Sequence, residues 1–379
     1  MMRTQTTRLQ FKCVVAAPLP KIVFKAGANS VASVRRTLAN GGGMGAERRG
    51  DIAGRDCGEP EPARPPATGT IHVACGADDR MVLAALVLAT SLAESGTCRS
   101  IVFHLLHAPS RYDLAGFAAR WQHPHLRIVL HEMPPGYPGL PVAQPYSPAI
   151  FFRLALADVL GDLDRVLYLD ADTVACQDIA DLHDIAMEGR PIAAMPDYNL
   201  FHFELHKPIP IRDRFGPSLL YLKEELAIAY RGAGDYFNSG VLLLDLAAWR
   251  RLRLTEACHD FIRGRRMQWP DQDALNVIVG RDYVALDARW NTMTAALENM
   301  AAPLTPDQAT LRRHWNDDPW IVHYTGTRKP WLFSPRPVPH GDRFWRVAAK
   351  TPAGRVLRAG YRNQMLRARL GRLAGMLSR

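Results

Sequence analysis

The sequence contains no run of about eighteen or more apolar residues, so we expect no membrane-spanning helix and only peripheral membrane contact. The six cysteines include no close pair, which argues against a zinc ribbon and against a compact disulfide framework. The segment Phe11 to Leu19 is weakly apolar and is interrupted by Lys12 and Pro18, so it lacks the apolar core of a signal peptide. These absences predict a protein of the reducing cytoplasm.

Acidic residues are scarce at both ends of the chain. Residues 341–379 contain ten Lys or Arg and one acid, and residues 1–70 contain eleven bases and five acids. The part between them therefore carries a net charge of −5, although the whole chain carries +10. A nucleic-acid-binding protein would carry its positive charge on the folded domain, so we predict no nucleic-acid partner.

Periodicity divides the chain into three parts. Residues 1–69 contain Gly41-Gly42-Gly43 and a Pro-rich stretch, which predicts a disordered leader. Residues 70–340 carry regular patterns and are expected to form one catalytic domain. Residues 341–379 place apolar side chains at helical spacing among arginines, which predicts a basic amphipathic helix. Such a helix lies on an anionic membrane surface or packs on the domain, and we expect peripheral membrane contact.

Strands alternate with helices in the middle part. The strand Ile71–Cys75 is followed by a polar turn and a helix from Met81 to Ala93. The unit recurs as far as the strand Arg165–Leu169, which follows a predicted helix near Pro148 to Leu160. This alternation predicts an α/β fold, a Rossmann-like nucleotide-binding domain with a mostly parallel mixed sheet and helices on both faces. The Pro- and aromatic-rich loop from Pro196 to about Pro217 is longer than a plain connector, so we expect it to cover part of the active site.

Two carboxylates follow the strand that ends at Leu169. Asp170 and Asp172 are two positions apart, and in an extended backbone they point the same way. Ligands of such sheets bind beyond the carboxyl ends of the strands, and paired carboxylates there suit a divalent cation on a diphosphate. The alternative is a solvated turn whose acids cap the next helix.

A second polar group follows the strand Trp320–His323. His323 can complete a metal site, Gly326 lets the backbone approach phosphate oxygens, and Lys329 supplies a cation to a diphosphate. A structural role for His323 remains the alternative.

Two further polar segments border hydrophobic patterns. Asn238 and Ser239, followed by Gly240, lead into a buried strand and can hydrogen-bond sugar hydroxyls, or else form a plain turn. Asp271 and Gln272 stand at a helix start, where N-capping by Asp271 is the ordinary explanation.

These four motifs, in this order from about Ile71 to Trp331, resemble glycosyltransferase family 8. That family contains retaining UDP-sugar enzymes, among them the bacterial lipopolysaccharide galactosyl- and glucosyltransferases and, more remotely, glycogenin. The resemblance implies the GT-A form of the nucleotide-binding fold, a Mn²⁺ or Mg²⁺ ion, and UDP-glucose or UDP-galactose as the donor. It also implies a saccharide or glycolipid acceptor such as the lipopolysaccharide core.

The resemblance assigns roles residue by residue. The implied metal ligands are Asp170, Asp172 and His323. The implied catalytic positions are Gln272, Asp271 and Arg153. The implied donor-binding positions are Ala77, Asp78, Asp170, Ala171, Asp172, Asp197, Asn238, Ser239, Gly326 and Lys329. Arg80 and Met81 depart from the family pattern, since several bacterial members have Asn and Tyr there. A side-chain amide is a poor nucleophile, so we favour attack on the same face of the sugar over a covalent intermediate on Gln272.

Two rival interpretations remain open at this stage. A haloacid-dehalogenase-like phosphatase would use Asp170 as its nucleophile, but in that class the nucleophile strand opens the domain, and three strand-helix units precede Asp170 here. A non-catalytic, membrane-associated nucleotide-sugar-binding protein would share the fold without turnover. The sequence does not predict the oligomeric state or distinguish the two donor sugars.

Overall fold

The structure is a computed structural model that describes residues 69–97, 99–142, 146–199, 209–211, 214–216, 218–300 and 304–377. The predicted leader lies outside these residues apart from Gly69, as does most of the loop predicted to cover the active site. Within the described residues, no helix is long and apolar enough to cross a bilayer. The three described cysteines, Cys75, Cys176 and Cys258, are free thiols.

Twelve strands are found in the described residues. They are β1 (Ile71–Ala77), β2 (Ile101–His107), β3 (Leu126–Glu132), β4 (Arg165–Leu169), β5 (Thr173–Ala175), β6 (Ile192–Pro196), β7 (Ile209–Ile211), β8 (Arg214–Gly216), β9 (Phe237–Asp245), β10 (Val284–Ala285), β11 (Thr292–Met293) and β12 (Ile321–His323).

The helices connect these strands and extend the chain beyond them. They are α1 (Val82–Ala93), α2 (Leu114–Arg120), α3 (Leu156–Val159), α4 (Ala180–His183), α5 (Ser218–Glu224), α6 (Leu246–Leu252), α7 (Leu254–Ile262), α8 (Pro270–Val279), α9 (Thr294–Asn299), α10 (Pro306–Asp317), α11 (Gly341–Ala348) and α12 (Pro352–Leu377). Three 3-10 helices, Pro148–Ala155, Ala233–Asp235 and Ala288–Asn291, complete the set.

Seven strands form the main sheet in the order β10-β6-β9-β4-β1-β2-β3. All neighbouring pairs are parallel except those made by β9, which runs antiparallel to both β4 and β6. A three-stranded sheet, β11-β12-β5, and the hairpin β7-β8 lie apart from it. The prediction of a mostly parallel mixed sheet is therefore confirmed.

Side chains of the main sheet alternate between two apolar layers, as the period of a strand requires. Val73 and Leu167 belong to the layer that contains α1, whereas Ala74 and Val166 belong to the layer that contains α6, α7 and α8. Every residue of α1 is buried, because this helix lies between the sheet and other parts of the chain.

The segment predicted as one helix from Pro148 to Leu160 is divided. Residues Pro148–Ala155 form a 3-10 helix, and only Leu156–Val159 is α-helical. The prediction was wrong in type over the first eight residues, because an apolar period over so short a segment does not separate the two helix types.

The C-terminal helix begins inside the folded body. Ala353 and Leu357 of α12 are buried in the apolar layer of α1, together with Phe344 and Ala348 of α11. Tyr361 packs edge-on against Phe333 and Trp345, and the Gln364 side chain accepts a hydrogen bond from the backbone of Phe333. Beyond this point the helix turns Leu366 and Leu370 to solvent.

Candidate active site

The direction of β9 explains how the predicted motifs meet. The carboxyl ends of the parallel strands β1, β4 and β6 lie at one edge of the sheet and lead into Ala77, Asp170 and Asp197. Because β9 runs the other way, its beginning lies at this same edge, and the backbone amide of Asp170 donates to the carbonyl of Gly240 at 2.8 Å. The polar start of β9 therefore faces the ends of its neighbours.

A cavity of about 730 Å³ opens at this edge, and it is lined by all fourteen residues that the resemblance assigns to the site. These are Ala77, Asp78, Arg153, Asp170, Ala171, Asp172, Asp197, Asn238, Ser239, Asp271, Gln272, His323, Gly326 and Lys329. The four motifs, which are separated by up to about 150 residues of sequence, thus share one concave surface of the size that small ligands use.

The small sheet brings the late motif to the early one. β12 pairs antiparallel with β5, and His323 lies opposite Thr173 in the register. The backbone amide of Tyr324 donates to the carbonyl of Asp172 at 2.9 Å. Strand pairing therefore fixes His323 beside the two acids. No local sequence pattern reveals this arrangement.

Asp170, Asp172 and His323 form a compact three-ligand cluster. One ligand atom from each residue lies within 4.8 Å of the other two. The Nε2 atom of His323 is 3.4 Å from Asp172 and 3.7 Å from Asp170, while Nδ1 is 2.9 Å from the side-chain oxygen of Asn291. A proton on Nδ1 leaves the Nε2 lone pair directed at the carboxylates, which is the form of histidine that binds metal ions.

Gly240 leaves room for this cluster. A Cβ atom at this position would lie 2.2 Å from Cε1 of His323 and 2.8 Å from a carboxylate oxygen of Asp170. Such distances are far inside van der Waals contact, so no larger residue fits while the cluster is intact. Gly240 is thus needed for the two acids and the imidazole to approach each other.

Arg153 joins the cluster to the rest of the cavity. Its guanidinium donates to Asp170 and to Asp271, each at 2.8 Å, and to the hydroxyl of Ser239 at 2.8 Å. Burial alone would lower the pKa of Arg153, but the carboxylates of Asp170 and Asp271 hold it above its ordinary value. Arg153 therefore stays charged and fixes two acids that would otherwise repel each other.

Lys329 places an ammonium group against Asp172 and also donates to the carbonyl of Tyr324. Burial opposes ionisation of Asp172, but Lys329 and His323 outweigh it and hold the pKa of this carboxyl below its ordinary value. Asp172 is thus an anion at neutral pH, and its environment favours a cation beside it.

Gln272 lies at the centre of a hydrogen-bonded group on the other side of the cavity. Its side-chain oxygen accepts from the backbone amide of Ser239 at 2.9 Å, and its side-chain nitrogen donates to Asp197 at 2.8 Å. Asn238 donates to the same Asp197 oxygen at 3.1 Å. Burial raises the pKa of Asp271, and the negative charge of the nearby Asp170 raises it further, although Arg153 opposes this shift.

Asp273 anchors the start of α8 beneath this group. The side chain is fully buried and accepts hydrogen bonds from the hydroxyls of Tyr221 and Tyr236 and from the backbone amide of Trp269. Burial raises the pKa of Asp273 from 3.8 to about 7, although the hydrogen bonds from the two tyrosines oppose the shift. Asp273 thus holds the helix that carries Asp271 and Gln272.

We expect Asp273→Ala to lower the free energy of unfolding by about 2–4 kcal/mol, because two buried hydroxyls lose their acceptor. The native carboxyl binds its proton more tightly than the unfolded one, so the advantage of the wild type shrinks as pH rises from about 4 to about 7. Denaturant unfolding of both proteins across this pH range measures the difference. A difference that does not change with pH would contradict this assignment.

Several cavity residues were not found from the sequence. Tyr146, Asn199, Trp269 and Asn299 line the cavity, and Asn291 lies behind His323 with no exposed surface. Trp269 directly precedes the Pro270–Gln272 motif, which was the one available signal. The others stand in loops or very short elements that give no periodic pattern.

The sequence of the chain is similar to a known protein family and to individual bacterial proteins. The family described as Glycosyl transferase family 8 matches residues 72–334, well over half of the chain. General stress protein A of Bacillus subtilis is 27% identical over 54% of this chain and 65% of its own length. Lipopolysaccharide 1,2-glucosyltransferase of Escherichia coli K12 is 31% identical over 51% of this chain and 52% of its own length. The chain thus spans less than two thirds of these two relatives.

A plant relative and a solved structure extend the comparison. Probable galacturonosyltransferase-like 4 of Arabidopsis thaliana is 24% identical over 69% of this chain and 73% of its own length. The structure of the galactosyltransferase LgtC, in complex with donor and acceptor sugar analogues, is similar with a TM-score of 0.58 at 24% identity. It covers 74% of this chain and 96% of LgtC, and it shows that the fold is shared.

The fold is that of the GT-A glycosyltransferases, and the residues that build the cavity fall within the matched segment. The chain therefore belongs to glycosyltransferase family 8.

Proposed function

We propose that the domain formed by residues 70–340 transfers glucose or galactose from a UDP-sugar to a saccharide acceptor with retention of the α configuration. The observation that carries this proposal is the convergence of Asp170, Asp172 and His323 in the cavity at the ends of the parallel strands. Nucleotide ligands of open α/β sheets bind at this edge. A divalent cation there is suited to hold a diphosphate leaving group.

The cluster fits a Mn²⁺ ion in its chemistry. It offers two carboxylates and one imidazole, and Lys329 already places a cation on Asp172. Manganese accepts this mixture of oxygen and nitrogen ligands, and Mg²⁺ is the harder alternative. When bound, such an ion neutralises charge that develops on the leaving diphosphate. Asp170, Asp172 and His323 would hold it.

Lys329 and Gly326 would hold the phosphates of the donor. Gly326 has a φ of +76°, a conformation that favours glycine, and a Cβ there would lie 3.3 Å from Cβ of Ala295. The open backbone at Gly326 and the ammonium of Lys329 both border the cavity. We expect Lys329 to exchange Asp172 for a phosphate oxygen once the cation and the donor are bound. Ala77 and Asp78 would contact the uridine at the far end.

The sugar pocket favours an uncharged hexose. Asp197, Asp271 and Gln272 border it, and the guanidinium of Arg153 is already paired with Asp170 and Asp271. A uronic acid would place its carboxylate among these acids, where like charges repel. The pocket therefore supports glucose or galactose over the galacturonic acid that the name of the plant relative contains.

We expect UDP-glucose or UDP-galactose to be hydrolysed at least about 10²-fold faster than UDP-galacturonic acid, since juxtaposed like charges cost several kcal/mol. The measurement is release of UDP from each donor at equal concentration with saturating Mn²⁺. Equal rates of UDP release from the neutral and the acidic donors would contradict the proposal that the pocket favours an uncharged hexose.

Gln272 supports attack on the same face of the sugar. Its oxygen accepts hydrogen bonds from the backbone of Ser239 and from Asn238, and its nitrogen donates to Asp197. An amide oxygen occupied in this way is a weaker nucleophile than a free one, and an amide is already poor. We therefore assign Gln272 to positioning the donor, with Asp271 and Arg153 as its charged neighbours.

The acceptor is proposed to be a lipopolysaccharide-core saccharide or another glycolipid, met at the inner face of a membrane. The exposed part of α12 supports this location. Beyond Gln364 it carries three exposed arginines, Arg367, Arg369 and Arg372, and no acid, and Leu366 and Leu370 are more than half exposed. A helix of this kind binds anionic lipid through its charges and buries its apolar side chains at the interface.

Deletion of residues 366–379 is expected to abolish sedimentation with anionic vesicles while UDP-sugar hydrolysis persists. The deletion leaves Leu357, Tyr361 and Gln364 in place, so the docked part of α12 stays on the domain. A variant with Arg312→Ala and Arg313→Ala on α10 is the control for loss of positive charge at another surface. Unchanged sedimentation of the truncated protein would remove the membrane proposal.

A panel of UDP-sugars with and without Mn²⁺ tests the proposed function as a whole. We expect Mn²⁺-dependent release of UDP from UDP-glucose or UDP-galactose. Release of inorganic phosphate from a phosphate monoester, with no UDP from any donor, would favour the phosphatase interpretation instead. Binding of UDP without turnover would favour a non-catalytic protein.

A further inference from the structure

Asn291 lies between the proposed metal ligands and the proposed sugar pocket. Its side chain has no exposed surface, and it touches His323 on one side and Asn238 on the other. The oxygen of Asn291 is 2.9 Å from Nδ1 of His323, and its nitrogen donates to the oxygen of Asn238 at 2.9 Å. The residue lies within the short segment that leads into β11, where no sequence motif indicates a function.

Backbone donors fix the orientation of every amide in this group. The backbone amide of Gly240 donates to the oxygen of Asn238 at 3.0 Å, and a backbone N–H can only donate. The side chain of Asn238 must therefore present its oxygen at that point, so Asn291 has to present its nitrogen to it. The oxygen of Asn291 is then left for His323, whose Nδ1 must carry the proton.

The hydrogen-bonded chain continues into the proposed sugar pocket. The nitrogen of Asn238 faces Asp197, a carboxylate that only accepts, and the backbone amide of Ser239 fixes the oxygen of Gln272. Gln272 in turn donates to Asp197 and to the hydroxyl of Tyr236, which donates to Asp273. All donors thus point in one direction, from His323 towards the two buried carboxylates.

We propose that Asn291 is a positioning residue that couples cation binding to recognition of the donor sugar. It holds His323 in the tautomer that leaves Nε2 free for the cation, and it holds Asn238 in the orientation that lines the sugar pocket. A cation on Nε2 makes the Nδ1 proton of His323 a stronger donor, which strengthens the bond to Asn291. The inference rests on the proposed function, because it needs a cation at His323 and a sugar beside Asn238.

Two substitutions separate the two tasks. Asn291→Ala removes both hydrogen bonds. Asn291→Asp keeps an acceptor for Nδ1 of His323 but turns a carboxylate oxygen towards the oxygen of Asn238. If Asn238 rotates to escape this repulsion, its own oxygen meets Asp197, and the backbone amide of Gly240 loses its acceptor. Asn291→Asp therefore preserves the hydrogen bond to the metal ligand His323 and disturbs the contact with Asn238 in the sugar pocket.

The experiment measures Mn²⁺ binding to the full chain by electron paramagnetic resonance, without any donor, and then the affinities for UDP and UDP-glucose by calorimetry in Mn²⁺. We expect Asn291→Ala to weaken Mn²⁺ binding by about 10- to 100-fold, as loss of a partner behind a metal-bound histidine does. We expect Asn291→Asp to bind Mn²⁺ as the wild type does but to lose the difference in affinity between UDP-glucose and UDP. Asn363→Ala and Asn363→Asp on the exposed face of α12 are the controls.

The outcomes are distinguishable. Wild-type Mn²⁺ binding by a folded Asn291→Ala, or equal damage to Mn²⁺ binding in both variants, would overturn the coupling role while the proposed function stands. A wild-type protein that binds no Mn²⁺, either alone or together with UDP, would overturn the proposed function and this inference with it. If the melting temperature shows that Asn291→Ala does not fold, Asn291→Asp alone tests the coupling role. It must keep the Mn²⁺ affinity of the wild type and lose the difference in affinity between UDP-glucose and UDP.

Discussion

Replacement of Asp172 by Asn is expected to lower the rate of sugar transfer by about 10²- to 10³-fold, the loss seen when one stabilising group is removed from a developing anion. Asp172 contributes a charge to the proposed cation site and is also the partner of Lys329. The amide removes the charge at nearly constant volume, so the fold has no reason to change. The loss should appear in donor hydrolysis, measured as UDP released over a titration of Mn²⁺.

The control for this substitution is Asp164→Asn. Asp164 is exposed, lies outside the cavity and pairs with Arg250, so its replacement should leave hydrolysis at the wild-type level. If Asp172→Asn retained wild-type hydrolysis at every Mn²⁺ concentration, Asp172 would not hold the cation and the site would have to lie elsewhere.

Gly240→Ala is expected to lower the rate of donor hydrolysis to a similar extent, because the added methyl group clashes with the cluster. The added methyl group would lie 2.2 Å from the ring of His323 and 2.8 Å from Asp170. Neither side chain can retreat freely, because Asn291 holds His323, and Arg153 and Tyr168 hold Asp170. One of the three ligands has to leave the cluster, so Mn²⁺ affinity and hydrolysis should fall together, by at least about 10²-fold in rate.

Gly234→Ala provides the matched control for this change. A Cβ at Gly234 would meet only the hydroxyl of Tyr283, at 3.9 Å, so the substitution should be neutral. The measurement is Mn²⁺ binding and UDP release for both alanine variants, with melting temperatures to show that they fold. A Gly240→Ala protein with wild-type Mn²⁺ affinity would show that the cluster is not the cation site.

The sequence predicted the elements that have a long or strong pattern. The strand Arg165–Leu169 agrees with the structure at both ends, and the helix predicted from Met81 to Ala93 differs by one residue. An apolar strand followed by charged residues, or a mostly apolar segment of twelve residues that is too long for a strand, is a local feature that the sequence displays directly. The resemblance to a family then placed the site residues on one surface, and the cavity contains all of them.

What the sequence did not predict depends on contacts between distant segments. The reversed direction of β9 is not visible in its composition, because apolar side chains alternate in the same way in either direction. The strands β5 and β11 contain three and two residues, too few for a pattern, yet they position His323 and Asn291. The need for Gly240 arises only when an imidazole from another part of the chain lies against it.

The proposed cation site is tested most directly by a crystal structure of the protein grown with Mn²⁺ and UDP, with anomalous scattering data recorded for manganese. We expect one strong anomalous peak bonded to Asp170, Asp172 and His323, with the diphosphate on its open side near Lys329 and Gly326. A manganese peak at other residues, or a bound UDP with no manganese between these three side chains, would contradict it.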